Sequence, residues 1–93
     1  MEANIARRGQ AGTLESMDCI VAIEASDSGR VIDIAGAAAS RFRIPMELKI
    51  NEALDALGVS EPVRVNVRDN GALDVVLGAR VEAAYNRYRS SVK

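Results

Sequence analysis

Residues 70–88 read NGALDVVLGARVEAAYNRY, and the way this stretch folds decides the architecture of the chain. Asn70-Gly71 is the strongest short hairpin signal, and under that reading ALDVVLGARV is one more strand. The competing reading is a helix. Leu73, Val76, Leu77, Arg80, Ala84, Tyr85 and Tyr88 fall on one helical face, and Ala72, Leu73, Arg80, Glu82, Ala83 and Ala84 are good helix formers. Arg80 lies at the edge of that face, where its stem is buried and its head stays wet. Gly78 costs such a helix about 1 kcal/mol relative to alanine. The length, Ala72 to about Tyr88, favours the helix, and the helix is the reading adopted.

Working outward, EPVRVNVRDNG alternates, with Val63, Val65 and Val67 facing in and Arg64, Asn66 and Arg68 facing out, as in a half-buried strand. The outward arginines read as plain solvation. Upstream, Met46, Ile50, Ala53, Leu54 and Leu57 recur at helical spacing after Pro45. Proline fits a first turn and Gly58 a terminator, so a helix is expected over Pro45–Leu57. DCIVAIEA has strand length and β-branched residues, with Cys19, Val21 and Ile23 on one side and Ile20, Ala22 and Glu24 on the other. SDSG is turn chemistry, and RVIDIAG reads as a second strand, so the two suggest an antiparallel hairpin. The expected fold is α+β: a small antiparallel or mixed sheet in the order β-β-α-β-α, with two helices packed on one face. Residues 1–10 read as a flexible N-terminal tail, and residues 11–90 as a single domain.

The chain has 93 residues, enough for one domain with a modest core. Only 3% is aromatic, so that core must be aliphatic. Twelve basic against 13 acidic residues leave a net charge of -1, with no field to draw in nucleic acid. The lone cysteine, Cys19, rules out a disulfide within one chain and favours a reducing compartment. MEANIARRGQ is too polar for a signal peptide, and no stretch is long enough to span a membrane. A cytoplasmic protein with no membrane partner is expected.

The chain has no histidine, so Ser–His–Asp and Cys–His catalysis and Cys/His zinc sites are out of reach. The glycines form no phosphate loop. The carboxylate pairs Glu15 with Asp18 and Asp69 with Asp74 read as solvated surface in a chain this acidic. Cys19 has no neighbouring cation to activate it and reads as a quiet strand cysteine. Asp69 and Asp74 are placed to cap the last helix, and Asp74, Arg80 and Glu82 read as structural. Ser16, in AGTLESMD, stands on an exposed turn between two acids. By chemistry alone it is either an ordinary turn serine or a place where something is attached.

Taken together, AGTLESMDCIVAI (residues 11–23), the helical stretch ending in ALDALGV, and VNVRDNGALDVVLGARVEAA (residues 65–84) resemble the citrate lyase acyl carrier family. The resemblance covers about residues 6–88. It implies a non-catalytic carrier without the four-helix bundle of conventional acyl carrier proteins. It also implies that Ser16 bears, through a phosphodiester bond, a thiol-ended arm, 2'-(5''-triphosphoribosyl)-3'-dephospho-CoA, holding acetyl and citryl thioesters. The partners implied are the alpha (transferase) and beta (lyase) subunits and the prosthetic-group transferase. Glu15 and Asp18 are expected to orient the loop or to be read by that transferase. Members of the family usually place Gly or Ser between the serine and the aspartate, where this chain has Met17. The alternatives are a malonate decarboxylase-type carrier subunit, an unmodified scaffold protein and, least favoured, a small enzyme.

Overall fold

The computed structural model describes residues 7–91. Its elements run β1 (Arg8–Gly12), β2 (Asp18–Ala25), β3 (Val31–Gly36), α1 (Ala39–Ala56), β4 (Val63–Asn70) and α2 (Asp74–Ser90). The fold is α+β, with a four-stranded mixed sheet in the order β1-β2-β4-β3. Both helices pack on the sheet and on each other, α2 over β1 and β2, α1 against β3 and α2.

Residues 70–88 resolve in favour of the helix. Strand β4 ends at Asn70, and α2 begins four residues later. Gly71 takes φ +89, and its N–H and that of Ala72 donate to the Asp69 carboxylate at 3.0 Å. The Asn-Gly pair therefore turns the chain from strand to helix rather than back along a hairpin. Asp69 closes that turn instead of capping the helix. The N-cap position is Leu73, in extended conformation with no side-chain cap, while Asp74 stands in the first turn, where a negative charge complements the helix dipole. The buried face is Leu77, Val81, Ala84, Tyr85 and Tyr88. Leu73, expected on it, lies outside the helix and is exposed; Val76 is only half-buried.

Helix α1 starts earlier than expected. A kink at Phe42 (φ -123, ψ 21) separates a leading turn from the main helix, which puts Pro45 in a first turn, where its missing N–H breaks no bond. Met46, Ile50 and Leu54 are buried. The helix closes with a paired motif: Gly58 N–H donates to Asp55 O at 3.0 Å and Val59 N–H to Leu54 O at 3.0 Å.

The strands depart from expectation in two ways. First, β2 and β3 do not form a hairpin. Strand β4 lies between them, antiparallel to β2 (Val21↔Val67) and parallel to β3 (Ile34↔Val67). The physical reason is burial. Val63, Val65 and Val67 are essentially inaccessible, which requires neighbours on both sides, whereas β3 is half exposed and suits an edge. The parallel β3–β4 pair needs a crossover, and α1 supplies it. Second, the hairpin that does form joins β1 to β2 (Ala11↔Val21, Gly12↔Ile20). Arg8, Gly9 and Gln10, expected in a tail, belong to β1, so the order is β-β-β-α-β-α; the rest of that tail, residues 1–6, lies outside the described residues. The core is aliphatic apart from Tyr85 and Tyr88, whose rings stack 6.0 Å apart.

Candidate functional site: the serine turn

The β1–β2 connection is Thr13–Met17, and Ser16 stands on it. Gly12 makes the approach possible. Its φ is +109, and a Cβ there would lie 1.8 Å from the carbonyl oxygen of Cys19, so only glycine lets the two strands close at this point. Glu15 O accepts the Asp18 N–H at 3.1 Å, closing a four-residue turn with Ser16 second and Met17 third. Met17 has φ +66, the only positive φ among the described non-glycine residues. Positive φ at the third residue only defines a type II turn, which favours glycine there. The small residue expected between serine and aspartate thus has a conformational reason. Met17 costs about 1–2 kcal/mol in this region; its N–H is held by Asn70 O at 2.8 Å.

The turn is framed from below. Asp18 is buried and accepts four hydrogen bonds: from Arg80 Nε at 3.0 Å, Arg80 Nη2 at 2.8 Å, Thr13 Oγ1 at 2.6 Å and Cys19 N–H at 2.7 Å. The Arg80 guanidinium meets the carboxylate as a two-pronged fork. From the other side, Asn70 Nδ2 donates to Leu14 O at 2.8 Å, and Thr13 Oγ1 accepts the Glu15 N–H at 3.2 Å. Two of the three stretches that carry the family resemblance, residues 11–23 and 65–84, are therefore joined in space. Asp18 meets Arg80 across 62 residues, and Leu14 meets Asn70 across 56.

Hydrogen bonds from Arg80, then from Thr13 and the Cys19 N–H, hold the Asp18 carboxyl well below the usual carboxylate range. Asp18 is thus a fixed anion serving the loop and is no proton acceptor for Ser16. Glu15 and Ser16 are both exposed, and the Ser16 side chain takes no part in the hydrogen bonds of the frame. The chain has no histidine, Asp18 is committed, and among the described residues no side chain hydrogen-bonds the Ser16 hydroxyl to raise its nucleophilicity. The arrangement presents an exposed hydroxyl on a hydrogen-bonded turn. Cys19, beneath the turn, is fully buried; burial, with the charges of Asp18 and Asp69, pushes its thiol up to about 11. Among the described residues no group of three acidic, cysteine or histidine side chains is placed to hold a metal ion, and no helix is long and apolar enough to cross a membrane.

Sequence reasoning placed Ser16, Glu15 and Asp18 together but missed Thr13, Asn70 and Arg80 as the frame. Asn70 and Arg80 do lie within residues 65–84, one of the stretches of the resemblance, and that was the available signal.

The site is an exposed serine, with no hydrogen-bonded base, on a braced turn of a small α+β body. The acyl carrier family model described as the malonate decarboxylase delta subunit matches residues 6–88. The citrate lyase acyl carrier protein of Fusobacterium nucleatum is 40% identical over 84 residues, covering 89% of this chain and 88% of that protein. That of Haemophilus influenzae is 44% identical over 77 residues, covering 83% and 79%. The chain belongs to the citrate lyase acyl carrier protein family. Members are non-catalytic carrier subunits, and membership implies a covalently bound prosthetic group. The fold is also that of a chain in the crystal structure of a Pseudomonas malonate decarboxylase hetero-tetramer in complex with malonate, with a TM-score of 0.63 at 21% identity, covering 89% of this chain and 87% of that one.

Proposed function

We propose that this chain is the acyl carrier subunit of a citrate lyase and that Ser16 is the attachment point of its arm. The observation that supports this most strongly is the serine turn itself. Its frame uses Asp18, Arg80, Thr13 and Asn70 and leaves the Ser16 hydroxyl free. In the attachment the Ser16 oxygen would bond to the α-phosphorus of 2'-(5''-triphosphoribosyl)-3'-dephospho-CoA as the bond to the β-phosphate breaks, releasing pyrophosphate and leaving a phosphoribosyl-dephospho-CoA arm in phosphodiester linkage. This requires such a hydroxyl, accessible and unengaged, so the residues fit the group. When bound, the group supplies a thiol that carries acetyl and citryl groups for the cleavage of citrate to acetate and oxaloacetate.

The chain's own residues do the positioning. Asp18 and Arg80 fix the direction in which the turn points. Glu15, exposed beside the serine, is the side chain for the prosthetic-group transferase to read. Strand β1 and residues 11–90 act as one carrier domain. The alpha and beta subunits supply the chemistry, and tethering raises the concentration of the acyl group at each of them. The matching family model and the fold likeness make a malonate decarboxylase-type carrier the second reading.

Replacing the native copy with Ser16→Ala tests the proposal. Extracts should lose citrate cleavage while the variant still co-purifies with the larger subunits. Retained cleavage would refute the assignment; loss of malonate decarboxylation with citrate cleavage intact would favour the second reading.

A further inference from the structure

The helix-free face of the sheet holds a cation that the fold does not use. Arg68 faces outward from β4 and, among the described residues, makes no hydrogen bond or ion pair, whereas Arg64 on the same face is paired with Asp33 at 3.0 Å. Its cross-strand neighbours, Ile20 and Ala35, carry no charge. Solvation alone accounts for a lone surface arginine, but the position of this one adds something. Arg68 lines a groove of about 380 Å³ together with Leu14, Ala35, Gly36, Asp69 and Asn70. The groove reaches the serine turn directly. Leu14 is two residues from Ser16, and Asn70 holds both the Leu14 carbonyl and the Met17 N–H. The acid in the lining, Asp69, is committed to the N–H groups of Gly71 and Ala72. What remains is a free guanidinium, one exposed leucine, and a stretch at Ala35-Gly36 with almost no side chain. A phosphate suits the first, and the flat face of a base suits the other two.

We propose that this groove is where the phosphate-bearing nucleotide part of the Ser16-linked arm rests, with Arg68 as a positioning residue that holds a phosphate. The inference depends on Ser16 being the attachment point. It gives the arm a docked state, with its nucleotide portion on the carrier and its thiol end free to reach partner subunits.

The test uses loaded full-length chain, with intact mass recorded first. Backbone amide and phosphorus NMR spectra of loaded and unloaded protein are then compared for the wild type, Arg68→Gln and Arg68→Lys. The accessibility of the arm is read separately, as its rate of cleavage by a nucleotide pyrophosphatase. Loading should shift the amides of Ala35, Gly36 and Arg68 and the phosphorus signals. Arg68→Gln should lose those shifts and be cleaved about two- to five-fold faster, as expected for losing one exposed ionic contact, and Arg68→Lys should recover part of the protection. Loaded wild type with unshifted groove amides, or equal cleavage rates in all three proteins, would overturn the docked state while leaving Ser16 as the attachment point. Absence of any adduct would overturn both.

Discussion

Gly12→Ala puts the mount of the serine turn under direct strain. Two costs add. At φ +109 an alanine is in a region L-residues rarely occupy, worth about 1–3 kcal/mol. Its Cβ would also lie 1.8 Å from Cys19 O and 3.2 Å from Ile20 Cα, both backbone atoms, so the β1–β2 hairpin has to spread. Relief of such overpacking costs about 1–3 kcal/mol more. The control is Gly29→Ala. Gly29 has φ +80, but a Cβ there meets nothing within 4 Å, so only the backbone penalty of about 1–2 kcal/mol applies. Urea unfolding followed by circular dichroism separates the two. With a slope of about 1.5 kcal/mol per M, Gly12→Ala should lower the midpoint by about 1.3–4 M and Gly29→Ala by about 0.7–1.3 M. Equal shifts would show that β1 and β2 do not approach at Gly12 as described, and the account of how the turn is mounted would fail with them.

Met17→Gly removes an αL cost of about 1–2 kcal/mol and adds about 0.5–1 kcal/mol of unfolded-state entropy, so the denaturation midpoint should hold or rise slightly; a clear fall would argue against the type II turn. The Asp18 carboxyl has its folded pKa lowered from an ordinary value of 3.8, so its contribution to stability is present above that value and lost as pH falls below it. Acid titration should therefore show a flatter loss of stability below about pH 4 in Asp18→Asn than in the wild type, and parallel acid limbs would contradict the pairing with Arg80. Cys19 is inaccessible, with its thiol pushed up to about 11. Under native conditions at pH 8 a thiol reagent should read no group on the unloaded chain and one on the loaded chain, with Cys19 reacting only after unfolding; rapid native reaction of the unloaded chain would show that Cys19 is not buried.

Much of the fold was legible because single segments carried their own signal. The valines of β4 alternate as a one-sided strand must, and Met46, Ile50 and Leu54 repeat as a helix must. The choice of helix after Asn70-Gly71 was right because length outweighed a two-residue turn signal. Strand β1 was missed because RGQAG contains no β-branched or aromatic residue; its inward positions are Gly9 and Ala11, chosen for closeness to α2 and β2 rather than for strand propensity. The false β2–β3 hairpin came from treating neighbours in sequence as neighbours in the sheet, when β4, whose valine face is inaccessible, claims the place between them. At the site, Ser16 and its turn were readable locally. The Asp18–Arg80 fork was not, since it joins residues 62 apart that only the fold brings together. That pairing also changes the meaning of Asp18, from a surface acid or recognition group to the buried anchor of the loop.

The most direct test of the account is the intact mass of the chain purified from its native host, with peptide mapping across residues 11–23. The account predicts a phosphodiester-linked, dephospho-CoA-derived adduct on Ser16 that is absent from Ser16→Ala. An unmodified Ser16 in catalytically active native complex would contradict it.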